Sequence, residues 1–166
     1  MPYLYCPQCG SRLANQTIEG RDRATCERCG FIDYENPKPC VGVLVVDAGK
    51  VLLVERAAEP FKGYWDIPGG FLDAEEGPAE AARREMLEET GLEIDPVEVL
   101  DFWLDAYGED ETTLNICYIA RVVGGKPAAG SDAVSLRWFP LDDLPDKIAF
   151  TWEREALERL RFWLRG

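Results

Sequence analysis

The chain has 166 residues, 46% of them apolar, a formal net charge of −13 and no histidine. The length suits one ordinary domain plus a small appendage, and the apolar content argues against disorder. The missing histidine excludes Ser-His-Asp and Cys-His catalysis and any His-containing zinc site, while the acidic balance argues against a nucleic-acid surface held through phosphates. A general base therefore has to be a carboxylate or, as a weaker choice, a Lys, Tyr or Cys. A small phosphorylated substrate stays compatible with the acidity, because bound metal inverts the local charge. The N-terminus MPYLYCPQCG has no basic region followed by an apolar run, and the longest apolar run, Val41 to Val46, is far too short to cross a membrane. A cytoplasmic protein without a membrane partner is expected.

Residues 1–35 read as a separate unit. Cys6-Pro-Gln-Cys9-Gly10 and Cys26-Glu-Arg-Cys29-Gly30 are two C-x2-C-G knuckles with 16 residues between them, a spacing that fits a four-cysteine zinc ribbon. The alternatives are two disulfides, which a cytoplasmic chain disfavours, or free thiols, which the paired knuckles disfavour. Four thiolates (Cys6, Cys9, Cys26 and Cys29) would close the coordination sphere, so the zinc is expected to be structural, and so small a unit to depend on it for folding. Cys40 and Cys117 lie in apolar runs and read as buried small hydrophobes.

After the linker YENPKP, a second domain is expected over residues 36–166. Cys40 to Val46 and Val51 to Glu55 read as strands joined by a turn at residues 47–50. Residues 57–63 read as a loop, and Tyr64 to Gly70 leads towards a helix. Gly77 suits the N-cap, Pro78 the first helical position and Gly91 the stop. On this helix Ala79, Ala82, Met86 and Leu87 fall on one side, and Glu85, Glu88 and Glu89 on the other. Arg84 and Glu88 are four apart and can pair. Beyond the helix, residues 93–104 read as one or two strands, residues 108–112 as a polar loop, and Thr113 to Val123 and Ser135 to Phe139 as strands. Trp152 to Leu164 reads as a closing helix with Trp152, Ala156, Leu160 and Trp163 on a core-facing stripe. Strands alternating with two helices predict an α/β fold, a mixed sheet with a helix on each face.

A glutamate-rich helical face is ordinarily a solvated surface. It can also hold a hard cation, since carboxylate oxygens suit Mg²⁺ or Mn²⁺ beside a substrate phosphate. Periodicity leaves that choice open. The residues from Gly70 to Leu92, however, resemble the Nudix box, G-x5-E-x7-R-E-U-x-E-E-x-G-U, with Gly70, Glu76, Arg84, Glu85, Met86, Glu88, Glu89, Gly91 and Leu92 at its constrained positions. The W-D-I-P-G-G stretch before it is similar to the approach common in that family. The resemblance implies a Nudix α/β/α sandwich that hydrolyses nucleoside diphosphates linked to another group, by attack of water on phosphorus with Mg²⁺ or Mn²⁺. It implies Glu85, Glu88 and Glu89 as metal ligands with a backbone carbonyl at Gly69 or Gly70, Arg84 as an orienting residue and Glu76 as a peripheral member. The box does not name the base: Glu89 is one candidate, and Glu109, Asp110 and Glu111 are candidates by loop position.

The ribbon-plus-Nudix order resembles ADP-ribose, FAD and NADH pyrophosphatases. The S-Q-P-W-P-F-P-x-S array of the NADH enzymes is missing, because that region reads Asp101-Phe-Trp-Leu-Asp-Ala-Tyr-Gly108. The proline that many ADP-ribose hydrolases carry some 15 residues past the box is replaced by the Tyr107–Gly108 region. An adenine dinucleotide or ADP-ribose, cleaved to release AMP, is the expectation, with Phe71, Trp103 and Tyr107 as candidates to stack on a base. Two other readings stay open: hydrolysis of (d)NTPs, and a non-catalytic binding module on the same scaffold. A homodimer is common in the family, and no residue pattern decides it here.

Overall fold

The computed structural model describes residues 3–108, 111–130 and 133–165. At the N-terminus β1 (Ala14–Ile18) and β2 (Arg21–Thr25) form an antiparallel two-stranded sheet of their own. The hairpin separates the two cysteine pairs in sequence and returns the chain so that they meet. Each knuckle makes the same turn: the Gly10 N–H donates to the Cys6 carbonyl and the Gly30 N–H to the Cys26 carbonyl, both at 2.9 Å.

The remaining elements build a mixed sheet between two helices. Its central strand, β3 (Lys38–Asp47), pairs antiparallel with β4 (Lys50–Arg56) and parallel with β8 (Glu111–Gly125). The outer strand β7 (Leu92–Tyr107) runs antiparallel to β8, and β9 (Ala133–Pro140) antiparallel to β4. Two short strands, β5 (Trp65–Asp66) and β6 (Gly69–Phe71), pair with β4 and β3 and lie where the sequence predicts only an approach to the helix. The helices are α1 (Pro78–Thr90) and α2 (Thr151–Trp163).

The continuous apolar run of β3 follows from its position, since both faces are covered. Val41, Val43 and Val45 pack with Ala81, Ala82 and Met86 of α1, whereas Leu44 packs with Trp152, Ala156, Leu157 and Leu160 of α2. Residues 92–107 form one long strand with register shifts near Glu93, Pro96 and Val99. Pro96 is tolerated because β7 lies at the end of the sheet, where a missing N–H removes little. Among the described residues no helix is long and apolar enough to cross a membrane.

Two side-chain expectations are corrected. The buried face of α1 is Ala81, Ala82, Met86 and Thr90, and Leu87 is 52% exposed. The helix is rotated so that the 82–86–90 row meets β3, and this carries Leu87 outward and sets Glu85 and Glu89 beside β6. Of the α2 stripe, Trp152, Ala156 and Leu160 are buried, but Trp163 is half-exposed at the last turn, its indole N–H donating to the Glu98 carboxylate.

Candidate functional site

The helix α1 sets the box side chains. Gly77 caps its N-terminus, with Glu80 Oε2 accepting from the Gly77 N–H at 2.8 Å, and Gly91 ends it in the left-handed conformation at φ 68°. Within this frame Arg84 is a hub. Its guanidinium donates to Glu76 Oε2 at 3.0 Å, Glu85 Oε1 at 2.7 Å, Glu88 Oε2 at 3.2 Å and the Phe71 carbonyl at 3.1 Å. One cation thus gathers three box carboxylates and ties them to β6. The Arg84 hydrogen bond holds Glu76 below the usual carboxylate range. Burial pushes Glu85 up, against the opposing pull of Arg84.

Glu89 points elsewhere. Its Oε2 accepts from the Gly69 N–H at 2.9 Å, so the second carboxylate of the 85–89 row reaches the backbone just before the box. Gly70 lies against the first: a Cβ there would sit 2.5 Å from Glu85 Oε1 and 2.7 Å from its carboxyl carbon. Glycine at position 70 therefore lets the backbone come close to the carboxylate that the sequence reading names as a ligand. Glu88, the most exposed of the three, projects from the outer side of the same turn with 57% of its side chain in solvent.

A cleft of ≈ 260 Å³ opens beside these residues. Gly69, Gly70 and Glu89 line one part of it, with Phe71, Tyr107 and Phe150 as aromatic wall and Arg56, Glu59 and Asp66 as a polar wall. Phe71 meets Tyr107 edge-on at 5.3 Å between centroids, and Tyr107 stacks on Phe150 at 5.8 Å and 19°. Phe71 and Tyr107, expected to touch substrate, thus stand together at the cleft. Trp103 does not line it: its ring packs on Trp152 at 6.0 Å against the α2-side core. Phe150 and Trp152 also line the cleft, and sequence reasoning proposed neither for substrate contact. The Ala149-Phe150 segment resembles that of other ribbon-plus-Nudix proteins, but a lone Phe before a helix carries no periodic sign of a role at the site.

Among the base candidates, Glu111 forms an ion pair with Lys38 Nζ at 2.6 Å and does not line the cleft. Glu109 and Asp110 lie outside the described residues.

Beneath the cleft is a buried acid pair that periodicity could not reveal. Glu153 of α2, 0% exposed, accepts from the Ile67 N–H at 2.8 Å and the Phe150 N–H at 3.2 Å. Burial and the adjacent Asp66 carboxylate push its carboxyl well above the usual range. Asp66 pairs with Arg56, whose Nε donates to the Pro60 carbonyl at 2.7 Å and whose guanidinium lies 5.1 Å from the Phe150 centroid. This network fixes the strand before the glycines and the aromatic wall to one another.

In the N-terminal unit the four sulfur atoms lie within 4.8 Å of one another, with Cys6–Cys29 and Cys9–Cys26 contacts of 3.5 Å. A tetrahedral Zn²⁺ with bonds of about 2.3 Å spaces its sulfurs on this scale. Hydrogen bonds from Ser11 bring the Cys9 thiol down to about 6. Cys29 goes the other way, to about 12: the Phe31 N–H lowers it, but the neighbouring thiols outweigh that. Four sulfur donors gathered this closely on two matching turns fit a divalent cation. Among the described residues this is the one group of three or more potential ligands so closely gathered; the box glutamates are spread between Arg84 and Gly69.

Comparison with known proteins gives the family. The NUDIX domain model matches residues 36–160, and the model described as Nudix N-terminal, a zinc ribbon, matches residues 4–35. An ADP-ribose pyrophosphatase of Methanocaldococcus jannaschii is 34% identical, over 95% of this chain and 89% of that protein. A NAD-capped RNA hydrolase of Vibrio atlanticus is 28% identical over 86% of this chain, which spans about half, 51%, of its length. The crystal structure of a NUDIX hydrolase from Nitrosomonas europaea superposes with a TM-score of 0.76 at 29% identity, covering 90% of this chain and 85% of that one. The chain belongs to the Nudix hydrolase family and is a pyrophosphatase of that type, with an N-terminal zinc ribbon. The family uses divalent metal and takes small nucleotide substrates.

Proposed function

We propose that the chain hydrolyses the pyrophosphate link of ADP-ribose or a related adenine dinucleotide such as FAD or NADH, releasing AMP. The observation that carries this reading is the cleft itself, which brings Glu89 and the Gly69–Gly70 backbone together with an aromatic wall of Phe71, Tyr107 and Phe150. The similarity to an ADP-ribose pyrophosphatase along nearly the whole chain supports the same substrate class.

Glu85, Glu88 and Glu89, with the Gly70 backbone carbonyl, would hold Mg²⁺ or Mn²⁺. When bound, such ions neutralise phosphate oxygens and lower the pKa of water. Arg84 orients the carboxylates through its bonds to Glu76, Glu85 and Glu88. Glu89, already at the cleft, accepts the proton of the attacking water. Phe71 and Tyr107 stack on the base. Cys6, Cys9, Cys26 and Cys29 hold a structural Zn²⁺, and the unit boundaries are residues 1–35 and 36–166. The enzyme acts in the cytoplasm on free nucleotides rather than on RNA, since a net charge of −13 repels a polyanion. Phe102 and Leu104, exposed on β7, support a homodimer; sedimentation equilibrium showing only monomer at tens of micromolar would exclude it.

The test is a product assay with Mg²⁺ and then Mn²⁺ on ADP-ribose, NADH, FAD, (d)NTPs and NAD-capped RNA. AMP release from ADP-ribose or a free dinucleotide is expected. Pyrophosphate from a triphosphate, or turnover of capped RNA alone, would overturn the substrate reading.

A further inference from the structure

Asn115 of β8 lines the cleft although it is only 4% exposed, and its carboxamide is half satisfied. Nδ2 donates to Thr113 Oγ1 at 2.9 Å and approaches the Trp103 carbonyl at 3.4 Å. These contacts fix which way the amide faces. A carbonyl only accepts, and Thr113 turns its own hydroxyl towards the Asp105 carbonyl at 3.3 Å, so it too must accept from Asn115. Both neighbours require the amino group, and Oδ1 is turned away from them. Oδ1 has no hydrogen-bond partner among the described residues. Nor is it sealed in the core, because among those residues Arg23 Nε is the one side-chain polar atom both shut from solvent and unpartnered. A buried amide with an open acceptor at the floor of a cleft calls for an occupant, since such groups are nearly always paired.

Its surroundings define that occupant. Cys40 pairs with Asn115 across β3 and β8, Trp152, Phe71 and Tyr107 share the cleft lining, and Asn115, its own amino group engaged, offers a ligand an acceptor. Arg56, the cation in the same lining, is already engaged by Asp66 and the Pro60 carbonyl. The geometry points to Asn115 as a specificity-determining residue whose Oδ1 accepts a hydrogen bond from a neutral donor on the bound nucleoside, either the exocyclic amine of the base or a ribose hydroxyl. This rests on the nucleotide reading above and refines it. Discrimination follows from the same chemistry: a site built around a hydrogen bond rejects a ligand lacking the donor, because the buried acceptor is then stranded.

Equilibrium binding to the full chain, followed by calorimetry, tests this with AMP, purine riboside 5′-monophosphate, 2′-deoxy-AMP and 3′-deoxy-AMP. Wild type is expected to bind AMP and to lose roughly tenfold or more in affinity for the analogue lacking the donor. Loss with purine riboside assigns the amine, and loss with a deoxy analogue assigns the hydroxyl. Asn115→Leu is expected to bind AMP as weakly as wild type binds that analogue, and no longer to tell the two apart. Binding of all four nucleotides by wild type within twofold, no AMP binding at millimolar concentration, or an unaltered ranking in Asn115→Leu would each overturn the assignment. If the variant does not fold, the wild-type ranking still decides. Failure to hydrolyse ADP-ribose with the ranking intact sinks the proposed reaction alone; hydrolysis with a flat ranking sinks Asn115 alone.

Discussion

The two candidate metal centres of this chain are built in opposite ways. In the ribbon, four soft ligands converge within 4.8 Å on two matching turns, with Cys6 and Cys26 buried beneath. In the Nudix domain three candidate ligands share one helix but answer to two internal partners, Glu85 and Glu88 to Arg84 and Glu89 to the Gly69 N–H. The first arrangement leaves nothing for a substrate to complete. The second leaves the carboxylates paired within the chain, so a metal ion would have to take them from Arg84 and the Gly69 N–H. A structural site gains from closure, because ligand convergence is itself folding energy. A site that must admit and release a substrate gains from partners that can be exchanged.

Removing metal should expose the contrast most strongly. Chelation, or Cys9→Ser, is expected to unfold the ribbon, because apparent Zn²⁺ binding in such small units is on the order of 10 kcal/mol. The Nudix domain should keep its own cooperative transition, with the β3-centred core intact. Circular dichroism and hydrogen exchange on the two segments would check this; a zinc-free ribbon with unchanged protection would break the comparison. Next in size is Glu89→Gln, expected to leave the fold and Tm nearly unaltered while lowering kcat by about 10³-fold, roughly 4 kcal/mol. A folded variant with full turnover would remove Glu89 from the site. Gly70→Ala should be milder and more telling. The added methyl meets first the carboxyl end of the Glu85 side chain rather than backbone, so stability should hold while kcat/KM falls about 10- to 100-fold through displacement of that carboxylate. A parallel loss of Tm and activity would mean that position 70 is merely a turn.

Much of this was legible in the chain. The cysteine spacing, the caps of α1 and the box positions are local patterns, and they led to the family that the comparisons show. The β3 run and the 3.6-residue rhythm of α2 carried the sandwich. What escaped depends on which groups meet across distant segments. Leu87 went outward because the rotation of α1 is set by β3 and β6, not by the hydrophobicity of one helix. Trp103 sat in the core because strand parity places it on the α2 side of β7. Phe150, Asp66, Glu153 and Asn115 are far apart in sequence, and only folding reveals that they surround or underlie one cleft. A lone buried Glu in a helix of alternating charges gives no sequence signal.

That Glu153 supplies the finest test of the comparison, because it shows a carboxylate held without metal. Its folded pKa is raised above the unfolded value by burial and by Asp66. The folded state therefore binds the proton more tightly, and the associated stability is full at pH below the ordinary Glu range. It declines as pH rises from there through the raised folded pKa. Glu153→Gln keeps a carbonyl for the Ile67 N–H and a donor towards Asp66, but it opposes an amino group to the Phe150 N–H. The variant is expected to be less stable than wild type by about 1–2 kcal/mol near pH 5. Its stability should lack this group's decline with pH, so the gap between the two proteins narrows as the solution becomes alkaline. Urea titrations of both proteins from pH 5 to 9 would read the gap directly. A gap that stayed constant or widened with pH would mean that Glu153 is ionised in the folded protein, and that Arg56, already paired with Asp66, carries two buried acids rather than one.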